Sequence, residues 1–191
     1  MATRNKGKVA EVLHALEGLP VQVDLLPDHS RIPEPEETGL TFRENAALKS
    51  RYYSRLTGVP TLSEDSGLAV EVLDGRPGVH SARLAPNDGE RIRTLLKLIA
   101  DADPEWPDSR PRARFVSAMC LSLPEERIQV QGEVWGRIVP EARGENGFGY
   151  DPVFLYPPLN RTFAQLTIEQ KSRISHRSRA LRKLRARLKA F

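Results

Sequence analysis

The sequence predicts an α/β fold, and three observations carry that expectation. Runs rich in β-branched and aromatic residues, as at 113–123 and 127–139, alternate along the chain with segments whose apolar residues recur every three or four positions, as at 42–56 and 88–100. Glycine and proline punctuate the joins. At 191 residues the chain can bury a sizeable core without staples, as a single domain spanning 1–191. Its one cysteine, Cys120, excludes an internal disulfide and any cysteine-built metal site, and its apolar surroundings suit a buried thiol. No apolar run approaches 18 residues and no leader pattern opens the chain, so a cytoplasmic protein without a membrane partner is expected. A net charge of +4 and a pI near 9.4 suit an anionic partner, whether nucleotide or nucleic acid, and equally suit solubility alone.

Taken in order, Met1 to Lys8 is polar and feeds Val9, Val12, Leu13, Leu16 and Leu19 at helical spacing. A loop entering a helix N-terminus offers free backbone amides and the positive end of the dipole, and Thr3, Asn5, Lys6 and Lys8 add donors for an anion. Val21 to Leu26 alternates like a short strand, and Ile32 to Gly39 is a proline-rich acidic loop. Thr41 with Glu44 reads as a capping box, which gives Glu44 a structural job and opens a helix from Phe42 to Leu56. Asn45 and Lys49 share one face of it, so Lys49 can reach an anion.

Glu64-Asp65-Ser66-Gly67-Leu68 stands between two apolar runs and is expected at a tight bend. Adjacent carboxylates repel unless a cation or proton lies between them, so such a bend can hold a metal, although alone it reads first as an ordinary acidic turn. Asp74 to Arg83 is a turn-rich loop in which His80 has no partner ligand nearby. Asp88 to Ala100 is helical in pattern, and the three-proline segment 101–112 suggests a lobe boundary. Residues 113–123 and 127–139 form an antiparallel hairpin around Pro124-Glu125-Glu126, with Trp135 in core or interface. In Gly144 to Pro152 dense glycine lets backbone approach a flat ligand, with Phe148 as a stacking face and Asp151 as an acceptor, before a strand 153–156. Thr167 with Gln170 caps a helix running through Lys171, Ser175, His176 and Arg177 to Leu188. His176 and Arg177 offer donors to the carbonyl edge of a base, and Lys171 can meet phosphate.

Four motifs thus stand in order: Thr3-x-Asn5-x-x-Lys8, Glu64 to Leu68, Gly147 to Pro152, and Lys171 followed by Ser175-His176-Arg177. Together with Glu36-Glu37-Thr38-Gly39 and the Lys49 helix between them, they resemble the inosine triphosphate pyrophosphatase family from Thr3 to about Leu188. That family removes deaminated purine nucleotides such as ITP, dITP and XTP. The resemblance implies an elongated mixed β-sheet with flanking helices, two lobes around a central cleft that takes the substrate, and a homodimer. It matches Thr3, Asn5 and Lys8 to a triphosphate loop, and Lys49 and Lys171 to other phosphate contacts. It matches Glu37 and Asp65 to magnesium ligands, with Asp65 also the base for water, so that Asp65, Lys49 and Glu37 form the catalytic set. Ser66 matches a substrate contact, Phe148 with Gly149 and Tyr150 the base platform, Asp151 a base or sugar contact, and His176 with Arg177 the readers of a 6-keto group. Glu64 is left as a water-mediated metal ligand or a modulator of Asp65. Members of the family begin with a buried strand running into the position of Thr3, whereas only Met1 and Ala2 precede it here, which suggests an upstream start or else a sheet without that edge.

The chemistry expected is attack of water on the α-phosphorus, leaving monophosphate and pyrophosphate, with magnesium and lysines neutralising the triphosphate. Two rivals belong to other classes. The basic C-terminal helix suits a nucleic-acid-binding protein, but no reader motif is present and nucleic acid is not the expected partner. The other is a nucleotide-binding regulator without turnover.

Overall fold

A computed structural model describes residues 1, 8–9, 12–13, 23–26 and 32–189. Of the expected first helix, Lys8, Val9, Val12 and Leu13 are helical and the rest lies outside the described residues. Of the expected strand 21–26, Val23 to Leu26 are described and are not in a strand.

Helix α1 (Phe42–Thr57) starts as its capping box requires. The Thr41 hydroxyl accepts from Glu44 N–H at 3.2 Å, and Glu44 Oε2 accepts from the N–H groups of Leu40 and Thr41 at 2.8 and 2.9 Å. It ends on Gly58 at φ 70°, the left-handed cap that glycine adopts without strain. Strand β1 (Thr61–Val70) corrects one expectation: Glu64 to Leu68 lies in the middle of a single strand and not at a bend. Nearly every residue of β1 is buried, so its apolar runs continue each other through the acids, whose charges are met by buried cations described below. Gly67 marks a close backbone approach, since a Cβ there would collide with Ser81 Oγ and lie 2.7 Å from Gly78 O.

A 3₁₀ turn, Glu71–Leu73, takes up the end of the apolar run after the acids, and a second, Gly78–Arg83, lies within the expected turn-rich loop and leads to α2 (Asp88–Ala102), capped by Asn87. Strands β2 (Arg112–Ser122) and β3 (Arg127–Ile138) form the expected hairpin, closed by Leu123 N–H donating to Glu126 O at 2.9 Å. After the glycine-rich loop, a 3₁₀ turn Asp151–Val153 shortens the expected strand to β4 (Phe154–Tyr156), followed by β5 (Arg161–Thr162). The sheet order is β1-β2-β3-β4-β5, with β4 antiparallel to β3 (Ile138 opposite Phe154) and to β5 (Leu155 opposite Thr162). The C-terminal helix is two helices, α3 (Ile168–Ile174) and α4 (His176–Leu188). Ser175 takes an extended ψ of 158° between them, which stops the first helix and redirects the chain into the second.

The chain forms two compact units. The first is Met1–Asp65, Ser117–Gly132 and His176–Phe191, and its core gathers Val12, Leu62, Met119, Val130, Leu181 and Leu184. Gly132 admits α4, because a Cβ on it would strike the backbone of His176 and Ala180. The second is Ser66–Val116 and Glu133–Ser175, which contains the whole segment 101–112. Its core centres on Phe115, Phe154 and Phe163, with ring centroids 4.5 to 5.8 Å apart. Each such buried ring contributes about 2–3 kcal/mol of transfer free energy. Among the described residues, no helix is long and apolar enough to cross a membrane.

Candidate active site

In the first unit, α1 and β1 present their polar side chains to one another. Lys49, one turn beyond Asn45, donates to Glu37 Oε1 at 2.5 Å and to Asp65 Oδ1 at 3.3 Å. All three side chains are largely buried. Burial pushes the Asp65 carboxyl above its ordinary range; the Lys49 ammonium opposes that shift and Glu37 adds to it. Burial would lower the Lys49 ammonium, but the Asp65 and Glu37 carboxylates outweigh it and raise its affinity for the proton. Two acids and one lysine therefore share a common point, and the lysine stays charged there.

Beside Asp65 in sequence, Glu64 faces a different set of partners. Arg177 Nε donates to both its oxygens, at 2.9 and 3.1 Å, Ser117 Oγ donates to Oε1 at 2.7 Å, and Lys8 Nζ stands 3.8 Å from Oε2. Burial alone would raise the Glu64 carboxyl, yet Arg177 and then Lys8 overcome it and hold it at about 2. Lys8 is lowered from its ordinary value by burial, against the pull of Glu64. Glu64 is thus the anchor of Arg177, a role outside both alternatives read from the sequence. His176 and Arg177 open α4 and are buried. Thr3 and Asn5 lie outside the described residues.

The second unit holds the glycine-rich loop, built around one carboxylate. Asp151 Oδ2 accepts from Lys171 Nζ at 2.6 Å and from Phe148 N–H at 3.0 Å. Gly147 has φ 79°, and a Cβ on it would collide with that carboxylate. The Lys171 ammonium lies 4.9 Å from the centroid of the Phe148 ring, a cation–π contact that braces the ring. Lys171 and Asp151, expected at phosphate and at base respectively, thus meet each other. Gly149 N–H donates to Asp88 Oδ2 at 2.7 Å, and Tyr150 OH donates to Ser81 O at 2.8 Å. Burial pushes the Tyr150 phenol up to about 12. Ser66 follows Asp65 in β1 and is half-buried.

Sequence reasoning missed Asp88, Ser81, Ser117 and Asn45. Beyond near contacts with Gly78 and Arg91, Ser81 meets Leu68 and Tyr150, 13 and 69 residues away, and Asp88 meets Gly149, 61 away; Ser117 meets Glu64, 53 away, and Asn45 meets Asp65, 20 away. Only Asn45 carried a signal, since it shares a helix face with Lys49 and is too polar for a core position without partners.

The first unit thus holds a buried set of acids and cations and the second a glycine-braced aromatic loop, and comparison with known proteins gives the family. The model of the Ham1 family matches residues 1–187, and the chain belongs to that family. It is 48% identical over 195 residues to the dITP/XTP pyrophosphatase of Exiguobacterium sibiricum, covering 100% of this chain and 96% of that protein. It is 47% identical to the dITP/XTP pyrophosphatase of Symbiobacterium thermophilum, with 100% and 94% covered. Among solved structures, a HAM1 protein from Coxiella burnetii superimposes with a TM-score of 0.90 at 38% identity, covering 100% of this chain and 97% of that one. The fold is the α/β fold of that family, with a five-stranded sheet and flanking helices.

Proposed function

We propose that this chain is a nucleoside-triphosphate pyrophosphatase that hydrolyses dITP, XTP and ITP to the monophosphate and pyrophosphate. The observation that carries this reading is the Lys49 ammonium held jointly by Glu37 and Asp65. Membership of the Ham1 family and the names of its dITP/XTP pyrophosphatase relatives support it.

The residues present fit a hard divalent cation. Among the described residues no group of three or more His, Cys, Asp or Glu gathers as a metal cage, while two carboxylates converge on one point. That suits magnesium, which takes one or two protein carboxylates and fills its shell with water and substrate phosphate. Glu37 and Asp65 would hold it. When bound, it neutralises phosphate charge and polarises the phosphorus centre.

The protein's own residues then do the following. A triphosphate carries about four negative charges near neutral pH, and Lys8, Lys49 and Lys171, with Thr3 and Asn5, neutralise and align it. Asp65, whose proton affinity burial raises, accepts the proton of the attacking water. The water oxygen bonds to the α-phosphorus, the bond to the bridging oxygen breaks in line, and pyrophosphate leaves. Phe148 stacks on the base, Gly149 and Tyr150 shape its platform, and Asp151 holds Lys171 and the loop in place. Ser66 contacts the substrate beside Asp65. His176 and Arg177 donate to a 6-keto oxygen; adenine, which carries a donor there, leaves them unpaired. The enzyme works in the cytoplasm as a homodimer, which light scattering checks.

The test is incubation with magnesium and dITP, XTP, ITP, GTP or ATP, with pyrophosphate and orthophosphate measured separately. Pyrophosphate from the first three and little turnover of ATP is expected. Orthophosphate without pyrophosphate refutes α-phosphorus attack, and equal rates on ATP refute the 6-keto reading. The nucleic-acid reading of the C-terminal helix is not favoured by the names of the relatives, and Lys183 on that helix donates to Gln131 O at 2.7 Å.

A further inference from the structure

Asn45 is fully buried on α1, and none of the roles assigned above uses it. Both ends of its carboxamide are engaged. Gly39 N–H donates to Asn45 Oδ1 at 2.8 Å, and Asn45 Nδ2 donates to Asp65 Oδ2 at 3.3 Å. A backbone amide can only donate, so the Gly39 contact decides which end of the carboxamide is oxygen and turns the nitrogen onto Asp65. The other Asp65 oxygen faces Lys49, one helical turn further on. Asp65 is therefore oriented at both oxygens by one face of one helix.

The same carboxamide governs the segment that carries Glu37. Three successive backbone N–H groups, of Gly39, Leu40 and Thr41, are received by the side chains of Asn45 and Glu44. The end of the loop is clamped to α1 just after Glu37. No side chain fits at the clamp, for a Cβ on Gly39 would lie 2.6 Å from Asn45 Oδ1 and 2.7 Å from Glu44 Cβ.

We propose that Asn45 is the positioning residue that sets the spacing of Glu37 and Asp65. It anchors the Glu37 loop through Gly39 N–H and aims Asp65 with its own N–H, so that the cation and the attacking water meet two carboxylates at a fixed separation. This rests on the reading of Glu37 and Asp65 as metal ligands and of Asp65 as base. A neutral amide is the side chain that fits the position, because it both accepts and donates without adding a third negative charge.

Two variants disturb the relay from opposite ends. Asn45→Leu keeps the volume and removes both contacts, and Gly39→Ala pushes on the carboxamide while leaving Asn45 in place. Each is assayed for dITP hydrolysis, for thermal unfolding, and for Mn²⁺ binding by electron paramagnetic resonance in the presence of the non-hydrolysable α,β-imido analogue of ITP. Both variants are expected to lose about a hundredfold in kcat, with KM for dITP within about threefold. Both are expected to raise the half-saturating Mn²⁺ concentration by about tenfold. Unchanged Mn²⁺ binding in either variant overturns the proposal, whatever happens to kcat or Tm, because a merely structural asparagine would lower stability alone. Asp65→Asn separates the two levels: if that variant keeps near-full rate, the reading of the site fails; if it is inactive while Mn²⁺ binding by either relay variant is unchanged, only the role of Asn45 fails.

Discussion

The acid and lysine cluster of the first unit and the glycine-rich loop of the second reach local order by opposite routes. The cluster is drawn from β1, from α1 and α4, and from the loop that carries Glu37, and its charged side chains hold one another through buried ion pairs. The loop has little regular structure, and its order comes from backbone N–H groups tied to carboxylates and from glycines at positive φ. The first arrangement suits chemistry in which charge must stay at fixed points. The second suits contact with a flat surface, where backbone must come close and the ring of Phe148 must keep its angle. Substitutions in the cluster should therefore act on turnover and global stability, and those in the loop on substrate affinity.

The sharpest test of that contrast is Asp65→Asn. Loss of the proposed base should lower kcat by about a thousandfold or more while nucleotide binding, measured by calorimetry with the imido analogue, stays within about threefold. A comparable loss of binding would erase the distinction. Next comes Glu64→Ala, which strands Arg177 in the interior. It should lower the unfolding free energy by about 3–5 kcal/mol in urea titration, the usual result of breaking a buried pair by removing one partner. The same pair sets a pH dependence. Glu64 titrates at about 2 in the folded protein against 4.5 for an ordinary glutamate, so its contribution is complete above the unfolded value and is lost as pH falls from 4.5 through about 2. Glu64→Gln should flatten that part of the acid unfolding curve.

In the loop, Gly147→Ala combines a positive φ with a collision against Asp151. It should raise KM for dITP severalfold and lower stability by about 1–3 kcal/mol, with kcat much less affected. A fall in kcat without a change in KM would place the loop with the cluster. Tyr150→Phe removes one buried hydrogen bond to Ser81 O and should lower stability by about 1 kcal/mol by differential scanning calorimetry. It should also remove a pH effect at the other end of the scale. The folded phenol titrates at about 12 against 10 unfolded, so its contribution is present below pH 10 and is lost as pH rises through about 12.

Features set by neighbours in sequence were legible. The capping boxes at Thr41 and Thr167 and the hairpin around Pro124 depend on residues a few positions apart, and each forms where the pattern places it. The run Glu64 to Leu68 was misread as a bend because acids and glycine are turn residues by local preference. Here burial on both faces and cations up to 113 residues away override that preference. The break at Ser175 was likewise hidden, since apolar spacing continues on both sides of it and only the backbone angle reveals it. Of the site, Lys49 was legible as a cation able to reach an anion and Asp65 as one of two adjacent acids, while Glu37 entered only through the family resemblance; the structure adds their contact. Asp88 was not, because its partner is a backbone N–H 61 residues away, and of Asn45 only its place on the Lys49 face was legible, not its contact with Asp65.

Cys120, the one thiol in the chain, is completely buried in β2. A maleimide reagent applied to the folded molecule should leave it untouched. A second cysteine introduced at exposed Glu125 in the hairpin could then carry a fluorophore or spin label without any prior removal of native sulfur. The native thiol becomes an internal clock for unfolding: it should react only as the sheet opens, so its labelling rate in denaturant reports opening of the first unit directly.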